Sequence, residues 1–495
     1  VIDDRTPVII GVGEASERLG EPGYRRRSAV DLAAAAAREA GAIKINIMAG
    51  VRQFEISTPW SHAPLGRADN FPRAVAARLG ADPQRAILEV TGGQAPQKLV
   101  AELAGEIAAG RAETALIVGA EAISTAAAYA HADDRPDFTE TVDGQLEDRG
   151  YGLDGLAPKQ LAAHGLLDPP GQYALFEHAR RARLGLSGAD YAAAMGALFA
   201  PFTTVAAAHP HAAAPTVRTA AELTAPTPSN RVVAEPYPRY LVSRDKVNQG
   251  AAVLLASVGE ARRLGVPQDR WVFLHGHADL RERDVLDRPD LSAYPAAVAA
   301  IRHALGLAGI GLADLDVIDL YSCFPIAVFA VCDGLGLPVD DPRGLTVTGG
   351  LPFFGGPGNN YALHAIAEVV RRVRRAPGTF GLVGANGGFL SKYSAGVYST
   401  APAPWRDSTD AAIQAGLGRV PPVPLCDDPS GPAVVETYTR KPGQDAVIIG
   451  RLGDGRRFVA AGPPDGGDLL GARGHVGTAD GRVTFSRELP PGPSA

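Results

Sequence analysis

A glycine-bearing unit occurs twice in this chain, and the repeat restricts the fold more than any other feature. Val90-Thr91-Gly92-Gly93 is followed by a helical stretch and the strand-like run Ala115-Leu116-Ile117-Val118-Gly119-Ala120. Far downstream, Val347-Thr348-Gly349-Gly350 is followed by a helical stretch and Phe380-Gly381-Leu382-Val383-Gly384-Ala385. Short glycine strings recur by chance, yet here turn, helix and strand return in one order, which predicts two duplicated α/β halves. The second copy carries an insert, Pro352-Phe353-Phe354-Gly355-Gly356-Pro357-Gly358-Asn359-Asn360, whose glycines permit close backbone approach. At about 100–200 residues per domain, 495 residues allow two such halves and more.

The rest of the chain can be placed around this repeat. Pro7-Val8-Ile9-Ile10-Gly11-Val12-Gly13 predicts a strand and residues 29–40 a helix, so the first 125 or so residues read as strand-helix units making a mainly parallel sheet. Residues 124–240 are rich in Ala, Pro, His and Asp without strand alternation and predict an inserted loop or helical region. Strand-helix order returns at residues 253–257, 271–275, 296–305 and 317–320. Residues 401–432 are dense in proline and predict a linker. Beyond it, the runs at 434–438, 447–452, 456–460 and 482–485, with turns at Gly453-Asp454-Gly455 and Asp480-Gly481, predict a small barrel of the oligonucleotide/oligosaccharide-binding type. The expected units are therefore 1–265 for the first half with its insertion, 266–400 for the second half, 401–432 for the linker and 433–495 for the barrel.

Charge and cysteine content exclude several functions. With 48 Lys and Arg against 54 Asp and Glu, the net charge of −6 offers no broad basic field for a duplex, so no nucleic-acid partner is expected. Cys323, Cys332 and Cys426 lack the clustering that a disulfide framework or a metal site needs, so no metal is expected and a reducing cytoplasm is the default. The start of the chain lacks the basic, then apolar, pattern of a signal peptide. The uncharged runs 191–208 and 344–363 approach membrane-span length, but prolines, glycines and asparagines place them in a soluble fold, so no membrane partner is expected. Gly11-Val12-Gly13 lacks the rest of a dinucleotide fingerprint.

The duplicated halves, the insertion and the matched glycine turns resemble the thiolase superfamily over roughly residues 5–400. Residues 314–324, from Asp314 to Tyr321-Ser322-Cys323-Phe324, resemble a segment of sterol-carrier-type thiolases, and Asn248-Gln249-Gly250-Ala251-Ala252 resembles their Ser-Asp-Gly-Ala-Ala stretch. Gly92-Gly93 followed by Pro96-Gln97, the 354–361 string and Ala385-Asn386-Gly387-Gly388 resemble a thiolase-like branch that goes by the name acetyl-CoA acetyltransferase. The resemblance implies a duplicated five-layered α-β-α-β-α fold with an inserted loop domain and a small C-terminal β-barrel. It also implies coenzyme A or an acyl-CoA as ligand with no further cofactor, and a homodimer formed through the first-half sheet edge. By the same matching, the family's nucleophilic cysteine falls on Gly93, its Asn or His on Tyr321, its Gly-His-Pro histidine on Gly356 and its acid/base cysteine on Gly384. Three of the four are glycine, which can neither attack a thioester nor move a proton.

The remaining candidates each have a plain structural explanation beside the functional one. Tyr321 is a candidate acid/base or a core tyrosine at a strand end. Gly92, Gly93, Gly349 and Gly350 present N–H groups to a thioester oxygen or simply make tight turns. Asn386 joins Tyr321 as a catalytic candidate, and Asn248, Gly356, Asn359 and Asn360 join the glycines as ligand-binding ones, although Asn also suits left-handed turns. Cys323, His275, His277 and His364 read as structural, and residues 371–375 as a basic helix end. Three readings follow: an acyl-CoA-binding acyltransferase relative, a cysteine-free retro-aldol lyase using Tyr321, and an acyl carrier or scaffold recruiting a protein through its C-terminal domain.

Overall fold

The computed structural model describes residues 2–487 apart from 42, 43, 155, 157, 466 and 480. Asp480 of the expected last turn, and residues 488–495 of the expected barrel unit, lie outside the described residues. The first sheet runs in the order Pro7–Ser16, Asn248–Ser257, Thr114–Ala122, Ile47–Gly50, Arg85–Leu88, Glu147–Asp148. The strands from residues 1–125 all run in one direction, as expected, but the sheet also takes in an antiparallel strand from outside that range. Asn248–Ser257, from beyond the insertion, lies between Pro7–Ser16 and Thr114–Ala122 and antiparallel to both, while Ile47–Gly50 pairs in parallel with its two neighbours. All ten residues of Asn248–Ser257 are buried, as befits an apolar strand covered on both faces. At the far edge, the exposed pair Glu147–Asp148 runs parallel to Arg85–Leu88 and covers it with two carboxylates.

The second sheet has the order Val317–Leu320, Phe380–Gly387, Lys392–Ser399, Phe273–Arg281. Helices Ala95–Ala108 and Tyr361–Arg375 touch each other and strands of both sheets, so they form the middle layer. Helices Ala29–Glu39 and Phe71–Leu79 cover the outer face of the first sheet, and Pro295–Ala308 that of the second. This completes five layers, α-β-α-β-α. The Ala29–Glu39 helix starts where Ser28 Oγ accepts the Asp31 N–H at 3.1 Å, a cap worth about 1 kcal/mol. In the middle layer, Tyr361–Arg375 buries Leu363, Ile366, Val369, Val370 and Val373, each worth about 1.5–3 kcal/mol in apolar burial. A buried pair, Glu14 Oε1 with His364 Nδ1 at 2.5 Å, ties this helix to the first sheet, and Arg371 meets the same carboxylate.

Within the insertion, Pro169–Leu184 and Gly188–Ala208 are the long helices. Gly188–Ala208 is long and apolar enough to cross a membrane by length and composition, and here it buries Tyr191, Met195, Phe199 and Phe202. The Pro-dense stretch contains a helix that its composition hides, Asp410–Leu417. Asp410 accepts the Asp279 N–H at 3.0 Å and Gln414 Oε1 the Arg281 N–H at 2.8 Å, so this segment caps the outer edge of the second sheet.

The C-terminal strands close a five-stranded barrel in the order Gly431–Thr439, Ala446–Leu452, Arg457–Gly462, Arg482–Arg487, Arg473–Ala479. It docks on the Pro169–Leu184 helix, where His178 Nδ1 donates to Tyr438 O at 2.8 Å. The buried Arg457 guanidinium donates to Leu286 O at 2.7 Å and Arg288 O at 2.8 Å, and pairs with Glu436 at 2.6 Å.

Candidate functional site

The repeated glycine turns meet at the interface of the two halves. The Gly92 N–H donates to Asn359 Oδ1 at 3.0 Å, and Asn359 Nδ2 donates to Arg52 O at 2.8 Å and to Ser57 Oγ at 3.1 Å. Lys392 Nζ donates to Thr91 O at 2.8 Å and Gly152 O at 2.7 Å, fixing the turn from the other side. Removal from water is the main reason the Lys392 ammonium falls to about 8.

A side chain from elsewhere occupies the space above each glycine that stands at a matched position. A Cβ on Gly93 would fall on the Tyr321 hydroxyl, 2.6 Å from Tyr321 Cζ and 2.6 Å from Asn386 O. A Cβ on Gly384 would fall on the Tyr393 hydroxyl, and one on Gly356 on Ser243 Oγ. The glycines are therefore what the packing of two tyrosines and a serine requires. Tyr321 is 6% exposed, its N–H donates to Gly384 O at 3.1 Å, and its ring meets Tyr361 edge-on at 5.3 Å. Its hydroxyl has no hydrogen-bond partner among the described residues. Burial pushes the phenol well above its ordinary range, and the Cys323 thiol adds to this. Cys323 itself is pushed up to about 12, chiefly by burial.

The other expected residues are also bound within the chain. Asn386 Oδ1 accepts from Tyr294 Oη at 3.0 Å, and its Nδ2 donates to Tyr173 Oη at 2.7 Å. Asn360 Nδ2 donates to Gly119 O at 2.8 Å, leaving Oδ1 buried without a partner among the described residues. Gly349 and Gly350 adopt φ of +108° and +78°, and their N–H groups donate to Thr346 Oγ1 at 3.1 Å and Thr348 Oγ1 at 3.2 Å rather than pointing at free space. A Cβ on Gly349 would lie 2.5 Å from Ala206 N, so the long inserted helix sits directly on this turn. The fold thus brings together Gly92, Gly93, Asn359, Tyr321 and Asn386, with Gly350 joined through Ser322 and Gly356 through Ser243. Asn248 stands apart, exchanging hydrogen bonds with Thr125 at 3.0 and 3.1 Å.

Sequence reasoning missed a cationic cleft of about 280 Å³ lined by Arg218, Arg231, Arg239, Arg244 and Lys246, with Ser243, Tyr240 and Phe353. Arg218 lies 4.1 Å above the Tyr240 ring. None of the five cations is ion-paired among the described residues, and Arg244 Nε is buried without a partner. Burial, then the neighbouring Arg239 and Arg218, lowers the Arg244 guanidinium below its ordinary value, an arrangement that an anion relieves. Ser243, which fills the Gly356 position, borders this cleft and donates its N–H to Cys323 O at 3.1 Å. The only sequence signal is five cations spread over residues 218–246, whereas in the conspicuous cluster at 371–375 Arg371 pairs with Glu14 and Glu39, and Arg372 and Arg375 with Glu368, leaving Arg374, which donates to Arg270 O, without a carboxylate among the described residues.

No protein-family model matches the chain. A probable acetyl-CoA acetyltransferase of Mycolicibacterium smegmatis (strain ATCC 700084 / mc(2)155) is 30% identical over 135 residues; the match covers 26% of this chain and only 32% of that relative. Over 99% of this chain and 100% of the other, the crystal structure of a monomeric SCP2-thiolase like protein type 1 from Mycobacterium smegmatis is similar at 44% identity and a TM-score of 0.85. Two more distant structures share the fold. The Ltp2-ChsH2(DUF35) aldolase has 20% identity and a TM-score of 0.59 over 81% of this chain and 98% of that one. An acetyl-CoA acetyltransferase from Syntrophomonas wolfei has 17% identity and a TM-score of 0.54 over 80% of this chain and 99% of that one.

Proposed function

This chain belongs to the SCP2-thiolase-like proteins, and from that premise we propose that it binds coenzyme A or an acyl-CoA through its cationic cleft, without thiolase chemistry at the glycine centre. The observation that carries the reading is the set of five unpaired cations around one cleft beside Ser243. Phosphates are the part of coenzyme A that such a site recognises, since charge-assisted bonds from guanidinium groups are about twice as strong as neutral ones. The donor set fits: Arg244 Nε is a buried donor in need of an acceptor, and the cleft wall also offers Phe353 as an apolar surface.

Acyl transfer at the glycine centre has no nucleophile at the matched position, and the nearby Cys323 thiol is pushed up to about 12 by burial. Gly93 supplies none, and the Tyr321 hydroxyl occupies the space where one would project. The retro-aldol alternative requires this same phenol beside a substrate hydroxyl, and its burial against Gly93 argues against that use. The carrier or scaffold reading differs from the proposal only in whether turnover follows binding. The strand order of the barrel, with its single parallel pair between Arg457–Gly462 and Arg482–Arg487, supports the oligonucleotide/oligosaccharide-type reading. One face of that barrel is already taken by the Pro169–Leu184 helix, so a protein partner would use another.

Calorimetric titration with coenzyme A, acetyl-CoA and pantetheine tests the proposal. The two phosphate-bearing ligands should bind, more weakly as salt rises, and pantetheine should not. No heat from coenzyme A, acetyl-CoA or longer acyl-CoAs would overturn it. Because Glu147–Asp148 covers the sheet edge through which a homodimer was expected, sedimentation should give a monomer, and a concentration-independent dimer would refute that expectation.

A further inference from the structure

A second cavity, of about 250 Å³, shares Arg244 and Lys246 with the cationic cleft and holds a pair that neither the glycine centre nor the cleft uses. Ser16, the last residue of the first strand, lies with Oγ 2.9 Å from His211 Nδ1. Both residues line the cavity and neither is fully enclosed. Several features indicate a built site rather than an incidental contact. Gln249, 1% exposed and opposite Ser16 in the strand register, holds the His211 backbone through Nε2 to His211 O at 2.9 Å. Its Oε1 is buried without a partner among the described residues, as are Arg18 Nε and Arg244 Nε, and all three residues line this cavity. The carboxylates there are already engaged: Glu21 receives Arg18 Nη1 at 3.0 Å, and Glu17 receives the N–H groups of Arg25 and Arg27 at 3.0 and 2.6 Å. Arg244 and Lys246 therefore remain as free cations beside the Ser16 hydroxyl.

We infer that Ser16 is an acyl acceptor with His211 as its base, in a cavity suited to small acyl groups carried on esters or thioesters of anionic alcohols or thiols. In the step, Ser16 Oγ bonds to the acyl carbonyl carbon while its proton passes to His211 Nδ1. The bond from that carbon to the leaving oxygen or sulfur breaks, and the leaving group takes the proton from His211, so an O-acyl serine and a free alcohol or thiol result. Arg244 and Lys246, which line the same cavity, are the cations available to the oxyanion that develops. Water attacking the acyl carbon, with His211 again as base, returns the free serine and a carboxylic acid. Only the choice of acyl-CoA as donor rests on the coenzyme A reading; the reactivity of the pair does not.

The full-length protein is incubated separately with p-nitrophenyl acetate and with acetyl-CoA, and followed by intact mass and peptide mapping. One acetyl group on the peptide carrying Ser16 is expected from the ester. Ser16→Ala should abolish it, and His211→Asn should slow it by about 100-fold. Ser16→Cys, nearly equal in size, should instead give a thioester labile to hydroxylamine, which keeps the test meaningful if the alanine variant folds poorly. The inference is overturned if the wild-type chain acquires no acetyl group at Ser16 from either donor, or if His211→Asn acetylates at the wild-type rate. Labelling by the ester together with no calorimetric binding of coenzyme A supports the serine site and removes the coenzyme A reading. Coenzyme A binding with no labelling from either donor does the reverse.

Discussion

At the centre of the molecule the Asn359 and Asn386 amides and the Gly349 and Gly350 N–H groups bond within the chain, and the places above Gly93, Gly384 and Gly356 are filled by Tyr321, Tyr393 and Ser243, while Tyr393 Oη, Ser322 Oγ and Asn360 Oδ1 are buried without a partner among the described residues. At the rim, where the Gly356 N–H donates to Arg244 O at 2.8 Å, Arg244 Nε, Arg18 Nε and Gln249 Oε1 are likewise buried without a partner among the described residues, but there they border two cavities, beside Arg218, Arg231, Arg239 and Lys246, which pair with no carboxylate among those residues. The difference is open space and unpaired charge at the rim against filled space at the centre, and on the proposed reading it is the rim that meets a ligand. Buried polar groups are normally paired, so groups left over at a cavity are the informative ones.

The largest effect should come from restoring a side chain at the closed centre. Gly93→Cys places Cβ on the Tyr321 hydroxyl, and overpacking of this kind costs about 3 kcal/mol. Denaturant unfolding should register that loss, and in a double-mutant cycle Tyr321→Ala should cost less in the Gly93→Cys background than in the wild type. A Gly93→Cys protein as stable as the wild type would break the comparison, because it would mean the space above Gly93 is open.

A somewhat smaller effect belongs to the buried contact that joins the middle layer to the first sheet. Burial alone would raise the Glu14 carboxyl, but the hydrogen bond and charge of His364, with Arg371, hold it at about 2. The unfolded chain binds this proton near the ordinary value of 4.5, so the contribution is complete above that pH and is lost as pH falls toward 2. By pH 3 the loss attributable to this group should be about 2 kcal/mol, seen as a stability slope that Glu14→Gln flattens.

These two predictions concern residues whose importance is unevenly legible in the sequence. The glycine turns can be read because close approach is a local demand: the residue that must lack a side chain advertises it. What approaches cannot be read, since Tyr321, Tyr393 and Ser243 arrive from other elements and nothing near Gly93 or Gly384 announces them. Asn386 is legible as an amide in a glycine-rich turn, but its partners Tyr173 and Tyr294 come from the insertion and from the edge of an outer helix. Lys392–Ser399 escapes notice because all eight residues are buried, so no alternation marks it as a strand. Asp410–Leu417 is obscured by the prolines around it, although its own residues are ordinary helix formers. The cationic cleft is invisible for the opposite reason, with its charges dispersed along residues 218–246 and gathered only by the fold.

The rim should respond to charge rather than volume. Arg244→Glu replaces a cation beside Arg239 and Arg218 with an anion, relieving their mutual repulsion while repelling a phosphate. Coenzyme A affinity should fall by about 10-fold or more, equivalent to ~1.4 kcal/mol, with thermal stability preserved. An unchanged dissociation constant would move the ligand away from this cleft and weaken the contrast between rim and centre.

The smallest effect should be the one that a catalytic account makes largest. Tyr321→Phe removes a hydroxyl that has no hydrogen-bond partner among the described residues and leaves the ring against Tyr361. With no bond lost, stability should change by less than about 0.5 kcal/mol in either direction, and coenzyme A binding at the rim should not change. An acid/base role for the phenol predicts instead a fall of about 10²–10⁴-fold in carbon–carbon cleavage of β-hydroxyacyl-CoA substrates, with stability unaffected. Measuring unfolding and cleavage on the same two proteins separates the accounts. Cleavage by the wild type that disappears with the phenol would make the closed centre a catalytic one after all, and would require Tyr321 to swing away from Gly93 when substrate enters.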